Sequence, residues 1–426
     1  PGRGRRAARV WNDLAVREDP ITVGVEEEFL VVDPATRSVV AASAAVIDHA
    51  KPVLGERVGG EFTAMQVETR TAPCTGVEEL HDQLASAREE LARAAAATGV
   101  AVVATGTPVL GRVAPAAITD GERQRRGDEL YRGLHDEITV CAVHVHLHVP
   151  DRDRAVLVSN HLRRYLPLLI ALCANSPYWC GRDTGYASWR SISLQRWPVA
   201  GPPPYFTDAG HYDATVSRLL DTGALVDQAT LFWDIRLSHH LPTVELRVPD
   251  VPLTAAGSAL LATLARALVR QAQHAIDRGD SGPVLAPELL RVAYWRAARD
   301  GMGGVALDPH TGATRPAHAA VIDLFQHLRP YLGADHRPAE RWLTRLLGTG
   351  NGATQQRAAG RPLTRVVDHL IATTAPRRAA PVRDLAADTP ASASSADPQV
   401  SPTPRGTAAS AAPDPSPAPG APSSGP

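Results

Sequence analysis

Four short stretches set the tightest limits on how this chain can fold: VGVEEEFLVVD (Val23–Asp33), TAMQVETRT (Thr63–Thr71), CAVHVHLHVP (Cys141–Pro150) and TVELRVPD (Thr243–Asp250). Each alternates apolar residues with charged or imidazole side chains. Residues two apart on a β-strand share a face. In the first stretch Val23, Val25, Glu27, Phe29 and Val31 form one face, and Gly24, Glu26, Glu28 and Leu30 the other. In the second, Gln66, Glu68 and Arg70 lie opposite Met65 and Val67. In the third, His144, His146 and His148 lie opposite Val143, Val145, Leu147 and Val149. In the fourth, Glu245 and Arg247 lie opposite Val244, Leu246 and Val248. A sheet with one wet face also alternates, but such faces usually mix Thr, Lys, Ser and Arg. These hold mainly Glu and His. The expected arrangement is a sheet with helices on its apolar side and chemistry on the other. Glu27 falls on the helix side, where a buried carboxylate requires a partner. An arginine is expected, although the sequence does not say which.

Further strands are expected near residues 100–106 and 231–237, making about six, with the others at 21–33, 63–71, 140–149 and 243–248. Helical periodicity covers 76–98 and 153–174, with a kink at Pro167. It then dominates after Leu253, over 254–278, 286–300, 316–332, 338–347 and 362–374. Strands and long helices segregate, which is an α+β pattern. Residues 1–20 read as an extension, 21–374 as one folded unit and 375–426 as a disordered tail. The tail is Pro, Ala and Ser with few large apolar residues, too little to offset its ordering entropy.

Composition excludes several classes. The net charge of −1 argues against nucleic-acid and anionic-membrane partners. No apolar run is long enough to span a bilayer, and no signal-peptide core follows the basic N-terminus. Cys74, Cys141, Cys173 and Cys180 form no CxxC pair, so reduced thiols and a cytoplasmic location are expected. Lys51 is the one lysine and follows Ala50, which rules out a Walker A loop.

Clustered glutamates repel unless a cation lies among them. Several Glu with one or two His suit Mg²⁺ or Mn²⁺, and Mg²⁺ is commonly shared between carboxylates and substrate phosphates. Arg70 and Arg247, on the same face, suit phosphate or carboxylate. The pattern is that of a metal–nucleotide site without a Gly-rich phosphate loop.

GVEEEF, QVET, HVHL, LIALCANSPYWCGRDTGYASWR, TVELRV, YWRAARDG and GNGATQQR occur in this order between about Ile21 and Thr374. In this the chain resembles the carboxylate–amine ligases of the glutamate–cysteine ligase type 2 family. The resemblance implies a glutamine-synthetase-like antiparallel sheet, helices on one face and the active site on the other. It implies ATP-dependent phosphorylation of the γ-carboxylate of glutamate, followed by attack of cysteine or another amine. The implied roles place Mg²⁺ or Mn²⁺ on Glu26, Glu28, Glu68, His144 and Glu245. His146, Arg296 and Arg299 would contact ATP. Arg247 and Glu68 would act at the transferring phosphoryl group. Arg190, Asp183, Thr184 and Arg70 would bind the amino-acid substrate. The implied partners are an amino acid and an amine, and a homo-oligomer is compatible with the sequence.

Other motifs read as structural. GDSGP (Gly279–Pro283) lies between helices and is a turn rather than a serine-protease nucleophile. GTGNG (Gly348–Gly352) reads as a flexible turn and a possible lid over the nucleotide. His148 reads as a strand-end histidine and Cys180 as a structural thiol. A metal-dependent hydrolase built on His144 and His146 is the rival enzyme reading, although no HExxH is present. A scaffold working through the Pro/Ser tail is the rival outside enzymology.

Overall fold

The computed structural model describes residues 21–375. The segments expected to be an N-terminal extension and a disordered tail lie outside the described residues, apart from Ala375. Seven strands form the main sheet: β1 (Val23–Val32), β2 (Val58–Gly60), β3 (Gln66–Arg70), β4 (Ala101–Val103), β5 (Val143–His148), β6 (Ile235–Leu237) and β7 (Thr243–Leu246). Their order is β6-β7-β5-β1-β3-β2, and all pairs are antiparallel. β4 continues the β5 side of β1, because Leu30 pairs with Gln66 on one flank and Val103 on the other.

Register brings the four alternating stretches together. Glu26 lies opposite Arg70 on one side and His144 on the other. Glu28 lies opposite Glu68, and Glu245 lies between His146 and Arg236. The apolar faces meet the helices Val77–Ala97, Arg152–Leu162, Leu166–Cys173 and Ala255–Ile276 in two core clusters, with the Val77–Ala97 helix contributing to both. The last of these is buried along most of its length and supplies leucines and alanines to the underside of the sheet. Beyond Glu28 both faces of β1 are buried, which ends the polar surface at Leu30.

The strand expected at 231–237 is broken. Phe232–Trp233 pairs in parallel with Ala200–Gly201, and only Ile235–Leu237 joins the sheet. The expected helix at 153–174 is likewise two helices separated by a 3-10 turn at Arg163–Tyr165, with Pro167 in the first turn of the second. Helices at Ser43–Leu54, Glu122–Tyr131, Ala209–Asp221 and Gly352–Ala359 were not expected. GTGNG is not a lid. Asn351 caps the Gly352–Ala359 helix and donates to the Ala171 carbonyl. A Cβ on Gly352 would lie 1.9 Å from Asn175 Oδ1, so Asn351 and Gly352 are wedged into the core, whereas Gly348 and Thr349 end the preceding helix at the surface.

The partner of Glu27 is Arg88. Both are fully or almost fully buried. Arg88 Nε and Nη2 donate to the two carboxylate oxygens at 2.9 and 2.6 Å, a bidentate pair. The remaining donors reach the carbonyls of Pro252, Leu253 and Thr374. All five guanidinium donors are thus used, and Ser258 Oγ donates to Glu27 as well. Arg88→Met leaves Glu27 buried without a counter-charge. Urea unfolding should show a loss of about 3–5 kcal/mol, with part of it regained in the Arg88→Met/Glu27→Gln double variant. A loss under about 1 kcal/mol, within the range of surface pairs, would show that the pair is dispensable.

Candidate active site

The polar face of the sheet floors a cavity of about 350 Å³. Nine of the expected site residues line it: Glu26, Glu28, Glu68, Arg70, His144, His146, Arg190, Glu245 and Arg247. For all but Arg190, which comes from a helix, this proximity follows from the register. Each strand offers side chains at every second position, and the antiparallel pairing stacks those positions across four strands.

Two electrostatic halves can be distinguished. In the first, Glu26 Oε2 lies 3.2 Å from His144 Nδ1 and 3.5 Å from His146 Nε2. Glu245 Oε1 lies 3.9 Å from His144 Nδ1. Arg236 Nε donates to Glu245 Oε2 at 2.6 Å, and Arg247 donates to Oε1. Burial opposes the charge on Glu26, but its hydrogen bonds with His144 and His146 outweigh it and hold the carboxyl well below its ordinary range. For Glu245 burial is outweighed by Arg247 and Arg236, again with a depressed pKa. Burial, with Arg247 next to it, pushes His144 down to about 4. At neutral pH this half therefore holds two carboxylates and a neutral imidazole, the protonation states that metal ligation requires. One donor atom each from Glu26, His144 and Glu245 can be chosen so that all three lie within 4.8 Å of one another.

In the second half burial and mutual repulsion raise the proton affinity of the carboxylates. Burial, and then Glu61, push Glu28 up to about 8. Glu28 Oε2 accepts from the Ala142 backbone N–H at 2.7 Å. Glu68 is raised well above the ordinary range by burial, then Glu61 and Glu26, although Arg70 pairs with it. Glu61 is itself raised by burial and the nearby Glu26, against the pull of Arg247. Carboxylates so crowded ionise together only beside a cation. An oxygen-rich cluster with one imidazole nearby suits a hard divalent ion.

Arg190 opens the short helix Trp189–Leu194, which Ser188 caps. Its guanidinium donates to the Val248 and Arg247 carbonyls at 3.0 and 3.1 Å. Asp250, 3.7 Å from Arg190 Nη1, also accepts from Ser176, Ser188 and the Asn175 N–H. Arg190 thus fastens the strand end that carries Arg247 while facing the cavity.

Four expected residues do not line the cavity. Asp183 pairs with Arg357 at 2.8 Å, and Thr184 Oγ1 donates to the Pro177 carbonyl. The chain turns at Gly185, with φ at +78°, before Ser188 starts the helix, so only the end of DTGYASWR reaches the cavity. Arg299 pairs with Asp300 and covers the Trp295 ring, its carbon 4.2 Å from the centroid. Arg296, on the same helix, also stays outside the lining. His148, at the strand end, is exposed and outside the lining too. Cys180 is half-buried, and burial pushes its thiol up to about 11, which fits an unreactive structural role.

Glu61, Arg123, Arg236, His239 and His240 line the cavity and were not expected. Arg236 was within reach of the same reasoning, since Asp234, Arg236 and Ser238 alternate with Ile235 and Leu237. Glu61 lies in the turn between β2 and β3, where no period marks it.

Comparison with known proteins agrees with this geometry. The family described as Glutamate-cysteine ligase family 2 (GCS2) matches residues 22–359. A putative glutamate–cysteine ligase 2-1 of Nocardia farcinica is 44% identical over 341 residues, 79% of this chain and 88% of the relative. A putative glutamate–cysteine ligase 2-2 of Saccharopolyspora erythraea is 42% identical, over 86% of this chain and 96% of the relative. Among solved structures, a glutamate–cysteine ligase of Francisella tularensis in complex with AMP has a TM-score of 0.59 at 13% identity, covering 84% of this chain and 89% of that one. A bifunctional glutathione synthetase of Pasteurella multocida has a TM-score of 0.60 at 13% identity, over 83% of this chain and 52% of that one, so this chain matches about half of the bifunctional enzyme. At such identity these two matches establish the fold. With the family match extending over most of its length, the chain belongs to glutamate–cysteine ligase family 2.

Proposed function

We propose that this protein is an ATP-dependent carboxylate–amine ligase that joins the γ-carboxylate of glutamate to cysteine or another amine. The observation that carries the reading is the pairing of a carboxylate–imidazole cluster with arginines on one sheet face inside a family of such ligases. Relatives of the family bear glutamate–cysteine ligase names, and one solved structure of the same fold holds AMP.

A carboxylate is a poor electrophile, and phosphorylation gives it a leaving group. Phosphoryl transfer calls for positioning and charge neutralisation more than for a protein nucleophile. Glu26, His144 and Glu245 would hold one divalent cation, and Glu28, Glu61 and Glu68 line the same cavity and could contribute further oxygens to bound cations. Bound Mg²⁺ or Mn²⁺ supplies Lewis-acid neutralisation of phosphate charge. Arg247, half-spent on Glu245, keeps donors for the transferring phosphoryl oxygens. Arg70 and Arg190 are the cations available for the substrate's carboxylate, and His146, held by Thr243 at 3.1 Å, is oriented towards Glu26. A hydrolase would use the metal cluster but leave the arginines of the cavity wall, five in all, without a shared task, so the ligase reading explains more of the site. Asp183, Thr184, Arg296 and Arg299 have no part in it.

Three measurements test this reading. Incubation with ATP, glutamate and a panel of amines, read by mass spectrometry, should give a γ-glutamyl adduct together with ADP and phosphate. Metal-dependent cleavage with no ATP consumed would favour the hydrolase instead. Glu28→Gln should keep the circular dichroism and unfolding midpoint of the parent, yet lose about 10²–10³-fold in rate, the scale of removing one electrostatic catalytic group; unchanged turnover would remove Glu28 from the machinery. Finally, Glu28 holds its proton at pH 7, because its pKa lies near 8. Cation binding at pH 7 must then release protons, and Mn²⁺ affinity should rise as pH is raised towards 8. Calorimetry in buffers of different ionisation enthalpy reads this; binding with no proton release would place the cation away from Glu28.

A further inference from the structure

Beneath the cavity floor lies a second, water-sized space of about 10 Å³, bounded among others by Arg190, Asp234, Tyr294, Val248 and Phe232. Arg190 and Phe232 also line the main cavity, so only the floor separates the two spaces. Arg190 Nε, Asp234 Oδ2 and the Tyr294 hydroxyl belong to residues that bound this space, and none has a protein partner of good hydrogen-bond geometry, although the Tyr294 hydroxyl lies close enough to the Asp234 carboxyl to interact with it. Each comes from a different element. Arg190 is on the Trp189–Leu194 helix, Asp234 at the break between Phe232–Trp233 and β6, and Tyr294 on the Pro287–Asp300 helix. Leaving one such group unsatisfied in a protein interior is costly, and three together are rare. A water molecule needs two to four polar partners and about this much room. One donor, one acceptor and one hydroxyl of either kind make a complementary set for it.

The same residues hold the active-site arginines from below. The Asp234 carbonyl accepts the Arg247 N–H at 2.8 Å, and its carboxylate faces Arg190 and Arg247. Burial raises Asp234 to about 6, against the pull of Tyr294 and the two arginines. Arg190, anchored at Nη1 and Nη2 to the β7 strand end, has Nε as its remaining fixed edge.

We propose that Asp234 and Tyr294 are positioning residues for Arg190, acting through one buried water that bridges Asp234 Oδ2, the Tyr294 hydroxyl and Arg190 Nε. The bridge fixes the guanidinium plane, so the one N–H left on each of Nη1 and Nη2 stays available to the carboxylate of the amino-acid substrate. The kinetic part of this inference rests on the ligase reading above; the bridge itself does not.

The test has two arms on the full-length protein. In a crystal structure at atomic resolution, a water within hydrogen-bond distance of all three atoms is expected; a dry space, or a direct side-chain bond to Arg190 Nε, would overturn the bridge whatever the enzyme catalyses. In steady-state kinetics with the amino acid that the product screen identifies, Tyr294→Phe and Asp234→Asn should each raise the KM for that amino acid about tenfold, as for a lost charged hydrogen bond. The kcat and the KM for ATP should stay within about twofold, and the unfolding midpoint should hold for Tyr294→Phe. If the parent turns over and both variants keep its KM, or lose only stability, the positioning role is wrong. If the parent makes no adduct with any amino acid, the ligase reading fails instead, and the crystallographic arm decides the bridge.

Discussion

The buried pair of Glu27 and Arg88 ties the molecule together. Arg88 sits on the Val77–Ala97 helix and contacts β1, the loop after β7 and the end of the last described helix through one guanidinium. Its cation also lies over Phe29, 5.3 Å from the ring centroid. A buried pair of this kind adds little net stability compared with apolar residues of the same shape. What it does is fix register. β1 carries three consecutive glutamates, and a slip of one residue would turn Glu26 and Glu28 into the helices and Glu27 into the cavity. The requirement that a particular glutamate meet Arg88 selects the face on which its two neighbours emerge. The geometry of the site is therefore set from the opposite side of the sheet.

Most of the site was legible because β-strands convert a period of two into a surface. Glu26, Glu28, Glu68, His144, His146, Glu245 and Arg247 could be placed on one face from alternation alone, and the pairing register then brought them together. Alternation is local, however, and carries no information about turns. Glu61 comes from a turn and was invisible to it. Asp183 and Thr184 were expected in the cavity because Arg190 follows them closely, yet the left-handed turn at Gly185 sends them elsewhere. Arg296 and Arg299 share a helix with buried Tyr294, but a helix displays its residues around a full circle. Tyr294 faces inward, whereas Arg299 packs on Trp295 at the surface. Of the fold, the long amphipathic helices after Leu253 were evident, whereas helices at Ser43–Leu54 and Glu122–Tyr131 were not. The first contains Pro52 and the second is mostly polar, so neither shows a clean apolar stripe. The partner of Glu27 was foreseeable in type but not in position, since the contact spans 61 residues of chain.

A second layer supports the arginines. Asp250 gathers Asn175, Ser176 and Ser188, which belong to the segment leading into the Arg190 helix. Asn175 in turn receives Gln356 and packs against Gly352. The GNGATQQR motif thus lies outside the cavity lining, although it is joined to Arg190 through a chain of buried polar contacts. Such buried networks hold side chains to narrow orientations, and a ligand-binding arginine benefits from this because less of its entropy remains to be lost on binding.

The charge balance of the cavity constrains how the proposed reaction can be ordered. Five carboxylates line it, and Arg70, Arg236 and Arg247 are already engaged with Glu68 and Glu245. A triphosphate and a dicarboxylate entering such a cavity would add negative charge where Glu28 already retains its proton and Glu68 is raised well above its ordinary range. Arginine alone cannot offset this, because its attraction is shared with the resident glutamates. Divalent cations can, since each brings two charges and lowers the proton affinity of the carboxylates that receive it. On this argument nucleotide enters with its cation or after one. The depressed pKa values of Glu26 and Glu245 prepare one half of the site for that event, and the raised values of Glu28 and Glu68 reserve the other half for it.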